Sequence, residues 1–210
     1  MTDDVLKSLP ARRGHFLLES GYHTDLWFDL DALFIAPDDL APQIATLSEL
    51  LRPYSISAVC GPLVGGAFLS HAVATQMGLR FYYTQQVPTK TGGPLFVAEY
   101  QLPPELLRQV GKERIAIVDD VVSAGSSARA TAAALTAAGA QTVVVGTLIV
   151  LGNQAVDYFS TRGIPLVALA RQDFNLWAPD DCPLCRSGAS LENPFCGNGQ
   201  VATASCSVVE

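Results

Sequence analysis

The segment from Arg114 to Ala128 constrains the fold of this chain more than any other stretch of the sequence. It reads Arg-Ile-Ala-Ile-Val-Asp-Asp-Val-Val-Ser-Ala-Gly-Ser-Ser-Ala. Residues 115–118 are apolar and mostly β-branched, which predicts a strand buried on both faces of a parallel sheet. Two acids, Asp119 and Asp120, follow this strand, and residues 128–138 are Ala-rich and predict a helix. A strand, a short loop and a helix in this order indicate an α/β fold.

The loop between the acids and the helix predicts an anion site. Its five residues have little side-chain bulk, and they are Ser123, Ala124, Gly125, Ser126 and Ser127. A ligand oxygen can therefore approach several backbone N–H groups, including those of the first helical turn, as phosphate monoesters do. Asp119 and Asp120 lie at the carboxyl end of the strand, where α/β proteins bind ligands, and carboxylates suit sugar hydroxyls. The segment predicts a sugar 5-phosphate as ligand.

Composition limits the classes of protein to consider. The 210 residues suffice for one α/β domain with small additions, and 49% are hydrophobic against 16% charged. A net charge of −7 with no basic stripe argues against nucleic acid as a partner. No apolar run approaches the ~20 residues of a membrane span. The first residues do not resemble a signal peptide, so we expect a cytoplasmic protein with no membrane partner.

The rest of the chain predicts alternating strands and helices, hence a mostly parallel sheet with helices on both faces. Strands are predicted at 56–60, 80–84, 115–118, 142–150 and 164–169, and helices at 38–51, 65–77, 128–138 and 154–160. Before them we expect a helix at 3–10 and extended segments at 14–18 and 24–30. Residues 85–93 are predicted to form a loop, followed by a strand at 95–100. This divides the chain into an N-terminal hood (1–36), a core (37–172) and an irregular Cys-containing tail (173–210).

A second glycine-rich loop follows the predicted strand at 56–60. It consists of Gly61, Pro62, Leu63, Val64, Gly65 and Gly66. Gly61 and Gly66 have the spacing of a nucleotide-binding P-loop. However, Ala67 and Phe68 stand where that motif needs Lys and Ser or Thr, so we reject a P-loop. The glycines still allow backbone N–H groups to approach an anion.

These two loops resemble the phosphoribosyl-diphosphate (PRPP) motifs of type I phosphoribosyltransferases. The resemblance implies that Asp119 and Asp120 hold the ribose hydroxyls and that residues 123–127 hold the 5-phosphate. It implies further that residues 61–66 hold the pyrophosphate. The substrates would be PRPP and a nitrogenous base, with Mg²⁺ as cofactor bound mainly through PRPP oxygens and water. The same resemblance implies a homodimer.

The N-terminal segment narrows the resemblance to the orotate phosphoribosyltransferases. These enzymes begin with a Gly-x-Phe-x-Leu-x-Ser-Gly segment and then an aromatic pair, matched here by residues 14–21 and by Trp27 and Phe28. The tail from Trp177 to Gly188, which contains Cys-Pro-Leu-Cys, resembles the C-terminal extension of one bacterial branch of the same enzymes. Glu19, Trp27 and Phe28 are accordingly predicted to lie on the side of the base.

Several cations of that family are missing from this sequence. Glu19 and Gly65 stand where a lysine is expected, and the orotate-binding arginine falls at residues 150–153, which read Val-Leu-Gly-Asn. Lys90 is the only cation left in the stretch 83–90. A charge-assisted hydrogen bond in such a site contributes ~1.5–3 kcal/mol, so the absence of several weakens binding strongly. Orotate is therefore predicted to be a poor substrate, although it is the acceptor that the resemblance favours.

The implied reaction displaces pyrophosphate from PRPP through a transition state with positive charge on the ribose. Asp119, Asp120 and Lys90 are the implied catalytic residues. The acids would orient the ribose and offset its charge, and the 85–93 loop would close over the site with Lys90 near the leaving group. Two alternatives stay open, which are a divergent enzyme acting on another base and a regulatory homologue that binds PRPP without chemistry.

Four cysteines lie in the last 30 residues, and two of them have metal-ligand spacing. Cys182 and Cys185 form a C-x-x-C pair, which is half of a zinc site. A complete site of cysteines would also need Cys196 and Cys206, which are not closely paired. The alternative is reduced structural thiols. For His15, His23 and His71, ordinary packing or surface positions are expected.

Overall fold

The structure is a computed structural model that describes residues 11–18, 20–87 and 99–194. Its strands, in chain order, are β1 (Ala11–Leu17), β2 (His23–Phe28), β3 (Ala58–Pro62), β4 (Arg80–Val87), β5 (Glu99–Gln101), β6 (Arg114–Val122), β7 (Gln141–Leu151), β8 (Leu166–Gln172) and β9 (Leu176–Trp177). Its α-helices are α1 (Ala41–Leu51), α2 (Gly65–Met77), α3 (Pro104–Leu107), α4 (Ser126–Ala137), α5 (Gln154–Ser160) and α6 (Pro183–Arg186). Short 3-10 turns cover Leu30–Phe34, Pro37–Leu40, Arg52–Tyr54 and Pro179–Asp181.

Six strands form the central sheet in the order β5-β4-β3-β6-β7-β8. All neighbours pair in parallel except β5, which pairs antiparallel with β4 at the edge. Strand β6 lies in the interior of the sheet and brings the motif acids to its carboxyl edge. The predicted α/β fold with a mostly parallel sheet is confirmed.

Both faces of the sheet are covered, which explains the continuous apolar character of its strands. Side chains of β6 alternate between two cores. Ala116 and Val118 pack with α1 and α2 on one face, and Ile115 and Ile117 pack with α4 and α5 on the other. All four are fully buried.

A separate three-stranded sheet forms the hood. Its order is β1-β2-β9, and both pairings are antiparallel. Glu192 adds a parallel bridge to Phe16 on the other side of β1. The start and the end of the described chain therefore meet in one small layer.

Most predicted elements are found, and several boundaries differ. Strand β6 extends to Val122, so both acids lie within it and do not follow it, and α4 begins at Ser126, two residues before the predicted start. The helices at 65–77 and 154–160 match α2 and α5 to the residue. Residues 85–87 were expected in a loop but extend β4, because they pair with residues 99–101 of β5. The tail was expected to be irregular, yet it contributes β9 to the hood. The predicted helix at 3–10, most of the 85–93 loop and the beginning of the 95–100 strand lie outside the described residues.

Within the described ranges, none of the helices has the length and apolar character that crossing a bilayer requires.

Candidate active site

The two motif acids are neighbours in the second half of β6. Asp119 is 5% exposed, and its carboxylate accepts two hydrogen bonds. Ser127 donates its hydroxyl to Oδ2 at 2.8 Å, and the backbone N–H of Asp120 donates to Oδ1 at 3.1 Å. Burial raises the pKa of Asp119 well above its usual range, and the negative charge of Asp120 raises it further. An acid held in this way accepts strong hydrogen bonds from a ligand that supplies hydroxyl groups.

The loop after the acids ends in an uncapped helix start. Gly125 takes a left-handed conformation with φ of 78°, and no side chain caps the first turn of α4. A Cβ atom at this position would lie only 2.9 Å from the Cβ of Ala155, so the loop needs glycine for its conformation and for space. Backbone N–H groups at the start of α4 are thus presented toward the carboxyl edge of the sheet, which suits a phosphate.

The second glycine-rich loop lies directly against the acids. Strand β3 ends at Pro62 and α2 begins at Gly65, with Leu63 and Val64 exposed between them. A Cβ atom on Gly65 would overlap Oδ2 of Asp120, and one on Gly66 would overlap Oδ1 of Asp119. Glycine at position 65, where a lysine was expected, is therefore explained by the close approach of Asp120.

The predicted base-side residues have different surroundings. Phe28 packs against the main core, and Trp27 lies 6.2 Å from the ring of Phe16 between ring centroids. Glu19 and Lys90 lie outside the described residues. The two predicted loops and the acid pair are thus brought together. For Trp27, Phe28, Glu19 and Lys90, the predicted roles stay predictions.

Arg129, one turn into α4, is a site residue that the sequence motifs did not indicate. Its backbone N–H donates to Gly125 O at 2.8 Å, and its Nε lies 3.6 Å from the position of a Cβ on Gly125. The guanidinium lies 4.1 Å from the ring centroid of Tyr158 and donates to Gln154 O at 3.2 Å. Its Nε is buried without a hydrogen-bond partner among the described residues. The signal available in the sequence was an arginine in the first turns of a helix that follows an anion loop.

Burial lowers the pKa of Arg129, and the neighbouring Tyr158 acts in the opposite direction. The carboxyl edge of the sheet combines the carboxylates of Asp119 and Asp120, the uncapped N–H groups of α4 and the half-buried side chain of Arg129.

Comparison with known proteins agrees with this geometry. The family described as "Phosphoribosyl transferase domain" matches residues 32–178, which include the core sheet and both loops. The chain belongs to this family.

Relatives of this phosphoribosyltransferase carry names from the same family. It is 30% identical to the orotate phosphoribosyltransferase of Thermotoga maritima over 195 residues, covering 92% of this chain and 97% of that protein. It is 28% identical to the orotate phosphoribosyltransferase of Caldanaerobacter subterraneus, covering 87% and 88% of the two chains.

Solved structures confirm the fold. The crystal structure of orotate phosphoribosyltransferase from Aeropyrum pernix superposes with a TM-score of 0.62 at 24% identity, covering 81% of this chain and 93% of that one. The crystal structure of APRTase from Giardia lamblia, complexed with 9-deazaadenine, superposes with a TM-score of 0.66 at 15% identity, covering 81% of this chain and 97% of that one.

Proposed function

We propose that this phosphoribosyltransferase moves the 5-phosphoribosyl group from PRPP to a nitrogenous base, with orotate as the first candidate acceptor. The observation that carries the proposal is the contact between Asp119 and Asp120 and the loop at Gly65 and Gly66, beside the uncapped start of α4. A ligand with ribose hydroxyls, a terminal phosphate and a pyrophosphate matches these three features in one place.

In the proposed reaction the acids act on the ribose. Asp119 and Asp120 accept hydrogen bonds from its 2- and 3-hydroxyls, which fixes the sugar against the sheet. As pyrophosphate leaves C1, positive charge develops on the ring, and nearby carboxylates stabilise it. The start of α4 holds the 5-phosphate, while the backbone of residues 61–66 faces the departing pyrophosphate.

Mg²⁺ is the proposed cofactor, and the donor set fits a hard cation. The two carboxylates lie beside a loop without basic side chains, so oxygen is the ligand type that this edge offers. When bound, Mg²⁺ neutralises pyrophosphate charge as the group departs. Asp119 and Asp120 are the residues that would lie next to it. We propose that Lys90 also helps to neutralise the negative charge of the departing pyrophosphate.

Orotate is proposed because the relatives that match most of this chain are named orotate phosphoribosyltransferase. A carboxylate-bearing base needs a cation, and we propose that the guanidinium of Arg129 supplies it, because this group donates to Gln154 O, next to residues 150–153.

The decisive experiment measures pyrophosphate release from PRPP and Mg²⁺ with orotate, uracil and adenine offered separately. We expect release with orotate and loss of release in the Asp119→Asn/Asp120→Asn double variant. That variant should also bind PRPP about tenfold more weakly or worse, because neutral amides accept hydroxyl protons less strongly than carboxylates. Release with another base only would assign a different acceptor. If PRPP raises the unfolding temperature but no base causes release of pyrophosphate, the protein binds PRPP without catalysing the transfer.

We further propose a homodimer in the cytoplasm. Three large apolar side chains, Ile35, Val64 and Phe68, are 83%, 59% and 54% exposed. They lie close together, since Phe34 and Phe68 are in ring contact at 5.6 Å and Val64 precedes Phe68 by one helical turn. A second copy covering this patch would remove apolar area from water beside the pyrophosphate loop.

A further inference from the structure

The hood and the tail meet in a cluster of two histidines and two cysteines. His15 on β1, His23 at the start of β2, and Cys182 and Cys185 around α6 each direct one ligand atom to a common point. These four atoms all lie within 4.8 Å of one another. Both cysteines are free thiols. We propose that this cluster binds a structural zinc ion.

Four of the six separations between the ligand atoms are close to the edges of a zinc tetrahedron, and the other two are at most 4.8 Å. Zinc bonds of about 2.0–2.1 Å to nitrogen and 2.3 Å to sulfur require ligand atoms roughly 3.3–3.8 Å apart. His15 Nε2 lies 3.1 Å from His23 Nδ1 and 3.4 Å from Cys182 Sγ. Cys185 Sγ lies 3.7 Å from His15 Nε2 and 3.2 Å from His23 Nδ1. These distances differ from the expected edges by a few tenths of an ångström.

The alternation of side chains along β1 directs His15 at this point. Gly14 and Phe16 lie on one face of the hood sheet, since a Cβ atom on Gly14 would lie 2.8 Å from the ring of Phe16. His15, between them in sequence, therefore faces the other side of the strand. Both faces are covered here, because His15 and Phe16 are only 5% and 2% exposed.

A hydrogen bond outside the cluster leaves the correct nitrogen of His15 for a metal. Its Nδ1 lies 3.0 Å from Ala189 O, and a carbonyl only accepts, so Nδ1 carries the proton. Nε2 then presents its lone pair to the common point. Histidines that bind zinc are usually oriented by such a bond from the other ring nitrogen.

The number and type of ligands indicate a structural role. Four protein ligands complete the tetrahedron, so no position is left for water or substrate. Two thiolates and two imidazoles favour zinc over the hard cation proposed for PRPP. Cys182 is fully buried while Cys185 is exposed, which gives the ion a route into the site. The ion would tie the hood hairpin to the tail at a distance from Asp119 and Asp120.

Metal analysis of the full-length chain tests the proposal. Protein purified without chelators should contain about one zinc per chain by mass spectrometry. The Cys185→Ser and His23→Ala variants should each lose at least tenfold of this content. Two controls should keep it, namely His71→Ala and the Cys196→Ser/Cys206→Ser double variant. Full zinc in Cys185→Ser, or loss in the tail double variant, would overturn the assignment of ligands.

A cobalt titration covers the case in which a ligand variant fails to fold. The wild-type chain, stripped of metal and given Co²⁺, should show the visible bands of a tetrahedral ion together with thiolate charge-transfer absorption. Zinc should displace cobalt at one equivalent. A wild-type chain that is isolated without zinc and shows no such spectrum does not have this site. Neither readout depends on PRPP or on turnover, so the zinc site and the proposed function are tested separately.

Discussion

Asp119 shows how the fold prepares one carboxyl group for its ligand at a cost to stability. The residue is buried beside a second acid and accepts hydrogen bonds from Ser127 and from the backbone N–H of Asp120. Its raised pKa means that the folded state holds this proton more tightly than the unfolded chain does. The stabilising contribution of the protonated form is therefore lost as the pH rises through the folded-state pKa.

It follows that Asp119→Asn should stabilise the protein at neutral pH. An amide keeps the shape of the side chain without a buried charge, and stabilising changes of this class are worth about 0.5–2 kcal/mol. Urea unfolding at neutral pH measures the free energy of unfolding of both chains. The difference should shrink as the pH is lowered, and a variant less stable than the wild type at neutral pH would contradict this expectation.

The affinity for PRPP should depend on pH through the same group. Hydroxyls donate to the carboxylate, so affinity is present above the raised pKa of Asp119 and falls as the pH drops through it. Replacing Asp120 by Asn removes the second cause of the shift. Calorimetric titration with PRPP and Mg²⁺ should place the midpoint of the loss at lower pH in Asp120→Asn. The titration of the PRPP phosphates is common to both chains, so it cancels in the comparison.

Gly65 gives a residue-scale test of the contact between the loops. In Gly65→Ala the new methyl group would overlap the carboxylate of Asp120, which would have to leave its position and give up the hydrogen bond from the backbone N–H of Val121. We therefore expect PRPP to bind about tenfold more weakly. Gly111→Ala is the control, since its Cβ would make an ordinary contact at 3.6 Å. If the wild type, Gly65→Ala and Gly111→Ala bind PRPP equally well, Gly65 does not belong to the PRPP site.

At the scale of elements, the sequence predicted the helices, which depend on neighbouring residues, better than the features that depend on residues distant in sequence. Helix α2 begins at Gly65 and α5 at Gln154, as their flanking turn residues indicated. Strand β4 extends to Val87 because it pairs with β5 across residues 88–98, and no pattern within 80–87 reports that partner. The C-x-x-C pair was recognised, but its histidine partners are more than 160 positions away. The spacing of His15 and His23 around the Gly21 turn was the available signal.

The connection between β7 and α5 and the first turns of α4 should together set the affinity for orotate. Residues 150–153, which end at Asn153, cover the predicted position of the orotate-binding arginine, and we propose Arg129 as the cation that replaces it. Orotate is therefore expected to have a high KM in the wild type. Arg129→Gln should raise KM further by about tenfold or more, the worth of a charge-assisted hydrogen bond, and Asn153→Arg should lower it. Steady-state kinetics on the three chains decides this, and an unchanged KM in Arg129→Gln would remove Arg129 from the base side.

At the scale of the whole molecule, the exposed apolar patch makes the oligomeric state testable. Multi-angle light scattering should give the mass of a dimer for the wild type at micromolar concentration. Phe68→Asp should give a monomer, because its carboxylate would be buried in the contact. Leu107→Asp is the matched control, since Leu107 is 49% exposed on α3, away from the patch. A monomeric wild type would count against the dimer.

The bridge between Phe16 and Glu192 and the contact between His15 and Cys182 have a consequence for biosynthesis. The hairpin of β1 and β2 leaves the ribosome first, but Cys182 is 167 positions later than His15. At ~5–20 residues per second, this interval corresponds to roughly ten to thirty seconds of translation. During that time the inner side chains of the hairpin, among them Phe16 and Leu26, have no tail to cover them. The hood is thus completed only after the core strands have been made, and its apolar face is available to chaperones until then.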